Sequence, residues 1–397
     1  MKVLVFTTLF PNNIWSDHGI FVKERMTRFA RLAGCQVKVV APVPYFPPLK
    51  IGHRWRFSQV HKHEVVDGID VFHPRYFMIP KIGMVFHGLF MFLSIFLYVK
   101  KVQRTYDFDV IDAHYVYPDG FAAVLLGKWL KKPVAVSARG TDINLFTKFP
   151  LILRLINYTL RRSHKIIAVC QALKDAMIEL GIPEEKISVV PNGVDIAKFY
   201  AIPKQDARKE LGIPPEKTVI LSVGSLIPRK GFDLLISALE ILISERRETN
   251  LYAVIIGEGS FRQELEIMIS AKNLSEYVKL VDKVPHRKLY VWYNAADLFC
   301  LLSSREGWPN VVMEALACET PVMATEVWGI PEIITCDDLG LLTKRDEQEI
   351  AKNISAALRR TWQSDKIRRY IRKNTWDKTA ISVLDVLQSI LKSKNAK

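Results

Sequence analysis

Two carboxylates, Glu306 and Glu314, stand with seven residues between them in the run SSREGWPNVVMEALACETPVMAT, Ser303 to Thr325. The apolar runs Ala296 to Leu302 before it and Pro321 to Thr325 after it read as buried strands. Gly307, Trp308 and Pro309 exclude regular helix directly after Glu306, and Asn310 is the expected N-cap of a helix Val311–Ala317. Glu306 therefore falls in a loop at the carboxyl end of a strand, with Glu314 about one turn inside the next helix. Backbone N–H groups at that helix start, those of Val311 and Val312 beside Asn310, suit a phosphate or a developing negative charge. The two carboxylates can accept hydrogen bonds from sugar hydroxyls on either side of it. Alone, two glutamates at this spacing more often mark an ordinary surface helix, because glutamate is a common helix former.

A second loop adds phosphate chemistry. Gly224 to Gly231, GSLIPRKG, follows an apolar run and opens a helical one, so its N–H groups and the cations Arg229 and Lys230 converge where a diphosphate would lie. Arg supplies a forked donor and Lys a point charge. Ile256-Gly257-Glu258-Gly259 is a further strand-end glycine loop, a weak signal by itself. Ser16 to Phe21, Asp112-Ala113-His114 and Ser137 to Asp142 are three more strand-end segments carrying polar groups.

With these motifs the chain resembles the retaining, nucleotide-sugar-dependent glycosyltransferases of the GT-B fold, in their large fourth sequence family (glycosyl transferases group 1, of the bacterial cell-surface or exopolysaccharide type). Glu306-Gly307-Trp308-Pro309-Asn310 through Glu314-Ala315 matches the Glu-x7-Glu signature of that family, and the likeness extends over nearly the whole chain. The resemblance implies two facing Rossmann-like domains and sugar transfer with retention in the cleft between them. It assigns Glu314 to the ribose, Glu306 and His114 to the donor sugar, and Arg229 with Lys230 to the diphosphate. Gly19, Gly224, Gly257 and the backbone at Val284 would line the donor site, and Arg139 with Asp142 the acceptor cleft. No carboxylate is placed as a covalent nucleophile, so the resemblance implies front-side attack by an acceptor hydroxyl. Two departures stand out: Ser225 occupies a place where the family often has Arg, and His18 one where many relatives have a second glycine.

The elements that must hold these residues read as α/β. Strands are expected at Val3–Thr8, Val37–Val40, Val110–Ala113, Val134–Ser137 and Lys165–Val169, with a helix near Phe21–Ala33. The turn-forming Pro191 to Asp195 marks a domain change, after which the rhythm restarts at Val219–Val223. Strands Leu251–Ile256 and Val278–Leu280 and helices Leu234–Ser244 and Phe261–Ala271 follow. The expected domains are 1–195 and 196–376, with a last helix, about 377–397, returning to the first by resemblance.

The 397 residues suit two domains, and 49% hydrophobic with 24% charged residues is ordinary globular composition. A net charge of +15 fits nucleic acid, anionic lipid or an anionic small molecule. No nucleic-acid-reading motif is visible, which excludes that partner and leaves a nucleoside diphosphate sugar and a sugar or lipid-linked acceptor. Five scattered cysteines and no signal-like segment before Val3 read as cytoplasmic residence. Ile82–Val99, nearly all apolar and followed by Lys100, Lys101 and Arg104, reads as a buried helix, a helix lying in an anionic membrane surface, or a span. No metal is expected: Asp107-Phe108-Asp109 sits at the entry of a strand, opposite the ligand edge. The rival readings are a nucleotide-sugar epimerase of the same fold and a non-catalytic membrane-associated binding protein.

Overall fold

The computed structural model describes residues 1–50, 52, 54–79 and 83–395. The chain divides into two compact units, one of Met1–Asn192 with the segment from Trp376 onward, the other of Gly193–Thr375. The first unit holds β1 (Lys2–Phe6), β2 (Gln36–Val40), β3 (Val43–Pro44), β4 (His63–Val66), β5 (Ile69–Phe72), β6 (Arg75–Tyr76), β7 (Val110–His114), β8 (Val134–Ala138), β9 (Lys165–Ala168) and β10 (Ile187–Val189). Eight of these form one sheet in the order β10-β9-β8-β7-β1-β2-β5-β4. Val3, Leu4, Val5 and Phe6 are all fully buried, as a strand covered on both faces requires. Strand order reverses beside β1, so the carboxyl ends of β1 and β7 open the crevice where ligands bind in such sheets. The hairpin β4–β5, antiparallel, was not among the expected strands, although Asp67-Gly68, both at positive φ, is the usual two-residue hairpin turn.

The helices of the N-terminal part of this unit are α1 (Ile20–Ala30), α2 (His87–Thr105), α3 (Phe121–Leu130), α4 (Thr141–Asn144), α5 (Pro150–Arg162) and α6 (Gln171–Glu179). Helix α1 stops three residues short of the expected Ala33. Of the expected segment Ile82–Val99, Ile82 lies outside the described residues, and the remainder forms a short 3-10 turn (Met84–Phe86) running into α2. One stripe of α2, Gly88, Met91, Ile95, Val99 and Val102, is buried, whereas Phe86, Leu89, Leu93 and Leu97 are exposed. The segment is thus a helix packed by one face only.

The second unit contains β11 (Thr218–Val223), β12 (Leu251–Ile256), β13 (Val278–Val281), β14 (Leu298–Leu301), β15 (Val322–Thr325) and β16 (Gly340–Thr343). Its sheet is parallel throughout, in the order β13-β12-β11-β14-β15-β16, the doubly wound arrangement with its switch point between β11 and β14. Its helices are α7 (Lys204–Leu211), α8 (Phe232–Ser244), α9 (Arg262–Ala271), α10 (Leu289–Ala295), α11 (Asn310–Ala317), α12 (Ile330–Ile333), α13 (Glu347–Arg359) and α14 (Ser364–Lys373). The last helix, α15 (Trp376–Asn395), belongs to the first unit, where Ala380, Val383, Leu387 and Ile390 join Val22, Met26 and Phe29 of α1 in one core. The architecture is α/β, with two Rossmann-like parallel sheets.

Candidate active site

In the second unit, the loops after β11 and β14 meet at the switch point. Pro228 to Lys230 form one 3-10 turn ahead of α8, and the Ser304 N–H donates to the Arg229 carbonyl at 2.9 Å, joining the two loops. Their side chains converge on one atom: Glu306 Oε1 accepts from Lys230 Nζ at 2.5 Å, Arg229 NH1 at 3.1 Å and Ser303 Oγ at 2.7 Å. Arg229 NH1 also donates to the Arg305 carbonyl at 2.6 Å. Burial would push the Glu306 carboxyl up, but the Lys230 ammonium and Arg229 guanidinium overcome this and hold it below the usual carboxylate range. Two cations and one carboxylate leave a surplus positive charge at the mouth of the β11/β14 crevice. Gly257 is explained by chain packing: a Cβ there would lie 1.9 Å from the Gly224 carbonyl oxygen, so only glycine lets the loops after β11 and β12 touch, whereas a Cβ on Gly224 would meet only ordinary contacts with Lys230 and Phe232.

Glu314 forms a separate constellation. It is 6% exposed, with Oε1 2.8 Å from His286 Nε2 and Oε2 accepting from the Tyr293 hydroxyl at 3.0 Å. The carboxylate can only accept, so His286 carries its proton on Nε2. Burial, then the Glu314 charge, raises Tyr293 well above its ordinary value, so the hydroxyl keeps its proton and remains a donor. Tyr293 went unread in the sequence because a tyrosine in an apolar helix run looks like core. Val284, half-buried, lies two residues before His286.

Two expectations at α11 are corrected. Asn310 is the first helical residue rather than the cap; Pro309 holds the N-cap position in extended conformation, and no side chain caps the helix. The Val312 N–H donates to the Pro309 carbonyl at 3.1 Å, so it is not the open anion donor expected of it; Asn310 and Val311 stand half-buried at the start of the helix.

In the first unit the strand-end residues lock to one another. Gly19, at φ 66°, precedes α1, and a Cβ there would meet the Leu9 carbonyl oxygen at 2.2 Å, so the loop after β1 folds against the helix start. His18 Nε2 lies 3.0 Å from the Thr8 carbonyl. His114, at the end of β7, is fully buried: Arg139 donates to its Nδ1, and its Nε2 lies 3.3 Å from Asp112 Oδ2. Burial pushes the imidazole down to about 3 against the pull of Asp112, so it is neutral. Both ring nitrogens face protein groups, which corrects the expected sugar contact: the ring positions Arg139. That guanidinium also donates to Asn192 Oδ1 at 2.9 Å and lies 5.2 Å from the Phe21 ring centre.

Asp142 is corrected as well. Its carboxylate accepts from the N–H groups of Val116 at 2.9 Å, Arg139 at 3.0 Å and Gly140 at 2.8 Å, and it is fully buried, so it shapes the loop instead of meeting acceptor hydroxyls. Sequence reading missed the charges beneath this layer. Arg25 of α1 donates to Asp112 at 3.2 Å and to Ser137 at 3.0 Å, both ends buried. An acid inside the apolar run VIDAH was the available signal. Asp107 pairs with Lys132 at 2.8 Å and Asp109 accepts from the Lys2 N–H at 2.7 Å, both at the amino edge of the sheet.

Asp119, fully buried, accepts from the N–H and hydroxyl of Thr8, each at 2.9 Å, and ties the loops after β1 and β7 together. Burial drives its carboxyl up to about 7; the Thr8 hydrogen bonds oppose this and Asp142 adds to it, while Tyr76 is raised by burial with Asp119 adding to it. A folded-state pKa above the unfolded value means the native state holds the proton. The associated stability is complete below about pH 4 and is lost as pH rises towards 7. Asp119→Asn is expected to flatten the urea-unfolding profile across that window; a slope identical to the parent would show that Asp119 does not titrate there.

Comparison with known proteins accords with this geometry. Residues 203–375 match the model of glycosyl transferases group 1, and residues 19–198 that of glycosyltransferase family 4. The teichuronic acid biosynthesis glycosyltransferase TuaC of Bacillus subtilis (strain 168) is 26% identical over 361 residues, 89% of this chain and 88% of that protein. A D-inositol 3-phosphate glycosyltransferase of Jonesia denitrificans is 33% identical over 218 residues, 51% of each. Sucrose-phosphate synthase from Thermosynechococcus elongatus shares the fold with a TM-score of 0.78 at 18% identity, covering 99% of both chains. Anabaena Alr3699/HepE, solved with UDP, does so with a TM-score of 0.73 at 20% identity, covering 98% of this chain and 100% of that one. With the two family models spanning most of both units and the Arg229, Lys230 and Glu306 cluster at the switch point, the chain belongs to the group 1, family 4 retaining glycosyltransferases of the GT-B fold, which use nucleotide-sugar donors.

Proposed function

We propose that this enzyme transfers a hexosyl group from a nucleoside diphosphate sugar to a hydroxyl of a sugar or lipid-linked acceptor in polysaccharide or glycolipid synthesis. The observation that carries it is the convergence of Arg229 and Lys230 on Glu306 at the β11/β14 crevice. The diphosphate would take over hydrogen bonds of the two cations, which Glu306 holds in place and the donor's charge attracts. Glu314, buried and steadied by Tyr293 and His286, is placed to accept from a ribose hydroxyl. The anomeric carbon–oxygen bond to the β-phosphate breaks, a bond to the acceptor oxygen forms on the same face, and the acceptor's proton passes to the leaving phosphate. Fixed positive charge on the leaving group supplies much of the acceleration. UDP-glucose and UDP are named with the Anabaena structures, and this supports a uridine diphosphate donor.

Thermal shifts across a panel of nucleoside diphosphate sugars test the donor, since ligand at about 100 times Kd adds about 2.7 kcal/mol. Glu314→Ala is expected to raise donor KM about 10- to 100-fold, the worth of one hydrogen bond to a charged acceptor. Unchanged kinetics with every active donor would remove Glu314 from the site. Nucleoside diphosphate release that needs no acceptor, with an epimerised sugar as product, would favour the epimerase reading.

A further inference from the structure

We propose that α2, α3 and α5 form a face that docks on an anionic lipid bilayer, and that the cavity at its cationic end seats a lipid phosphate. These helices pack side by side, α2 on α3 and α3 on α5. None of them contains an aspartate or glutamate, while α2 carries three cations, α3 one and α5 three. From Phe86 of the preceding 3-10 turn, an exposed stripe runs along α2 through Leu89, Leu93 and Leu97, with Leu97 at 65% exposure, and continues along the same line as Lys100, Lys101 and Arg104. From Phe86 to Leu97 it spans about 16 Å at 1.5 Å per residue.

The apolar surface extends beyond α2. Phe77 and Ile79 are exposed beside it, with Phe77 packed edge-on against Phe90, and Phe149 and Leu151 are exposed at the start of α5. Trp129 of α3, 41% exposed, meets Phe96 of α2 edge-on, and Lys100 Nζ lies 5.0 Å from its ring centre. Tryptophan and lysine paired over a leucine stripe are what a membrane interface accommodates: ring and alkyl stem in the apolar boundary, charge among the headgroups.

The cavity makes the occupant specific. It measures about 380 Å³ and lies at the amino edge of the sheet, lined by Lys128, Lys131, Lys132, Tyr158, Arg162 and His164 among others. Lys132 is engaged by Asp107, whereas Lys128, Lys131 and Arg162 have no carboxylate partner among the described residues. Arg162 lies over the Tyr158 ring at 5.9 Å. A protein partner or a second copy would have to supply apolar surface and several acids together; an anionic leaflet supplies both in one plane. Within the first unit the cavity lies at the amino edge of the sheet, opposite the strand ends where ligands bind, so this inference stands independently of donor and acceptor identity.

The test is flotation of the full chain with vesicles of phosphatidylcholine alone and of phosphatidylcholine mixed equally with phosphatidylglycerol, at low and high salt. Partition is expected on the anionic vesicles, weakening with salt. Lys128→Gln/Lys131→Gln/Arg162→Gln should reduce it about a hundredfold at low salt, at roughly fivefold per cation. Leu89→Gln/Leu93→Gln/Leu97→Gln should reduce it more than tenfold at both salts, since each leucine withdraws apolar surface from the interface. Both variants should keep the parent's unfolding midpoint, because the altered side chains are exposed. Equal binding to both vesicle types, or none to either, overturns the proposal. So does a dimer dissociated by the leucine changes, and so does saturable stabilisation by inorganic phosphate, lost in the cation variant, without vesicle binding.

Discussion

Lys230→Ala is expected to lower kcat by on the order of 10²- to 10³-fold, the usual cost of removing one fixed donor that stabilises developing charge. The fold should survive, because Arg229 and Ser303 still satisfy the buried Glu306 carboxylate. Glu306→Gln should lower kcat more than it raises donor KM, since it releases both cations from their shared anchor without removing them. Transfer is expected to persist in excess EDTA, and Asp107→Asn with Asp109→Asn to leave it largely intact. Those two carboxylates are spent on Lys132 and the Lys2 N–H at the amino edge of the first unit's sheet, away from the strand ends where ligands bind. Activity lost in EDTA and restored by magnesium or manganese would overturn the charge-only mechanism. A Lys230→Ala enzyme with parental kcat would overturn the assignment of Lys230.

Asp112→Ala should destabilise the chain by about 3–5 kcal/mol, the penalty for stranding the fully buried Arg25 guanidinium. Burial would raise the Asp112 carboxyl, but Arg25 and then His114 hold it down to about 2. Burial also draws Arg25 down while Asp112 opposes it, yet a guanidinium stays ionised. Because the folded pKa lies below the unfolded one, the pair's contribution is complete above about pH 4 and is lost as pH falls towards 2. Arg25→Met/Asp112→Leu should cost far less than either single change, since it removes both charges and keeps apolar volume. Urea midpoints for the three variants between pH 2 and pH 7 decide this: a double variant as damaged as the singles would mean the pair has a packing role that apolar residues cannot fill.

The α/β class was legible because strand and helix leave one-dimensional marks. Val3 to Phe6 and Val219 to Val223 are unbroken apolar runs of strand length, and glycine or proline follows at the turns. Element ends were less so: Asn310 looks like a cap by type, yet the fixed φ and missing N–H of Pro309 let the helix begin right behind it. The hairpin at Asp67-Gly68 was readable from its turn, but its strands HEVV and IDVF are only four residues each, too short for a clear pattern.

By itself the sequence determined the two parallel-sheet layers, the family, and the placing of Glu306, Arg229 and Lys230 in strand-end loops, since each follows from local pattern and residue type. Only the tertiary structure decided that those three share one oxygen, that His114 turns both nitrogens inward, and that Asp142 serves three backbone N–H groups. It also separated the two faces of α2, indistinguishable in a string apolar all round. The physical reason is common to all four: each depends on at least one neighbour tens of positions away, such as Lys230 for Glu306 or Val116 for Asp142, and sheet order decides which strand ends become neighbours.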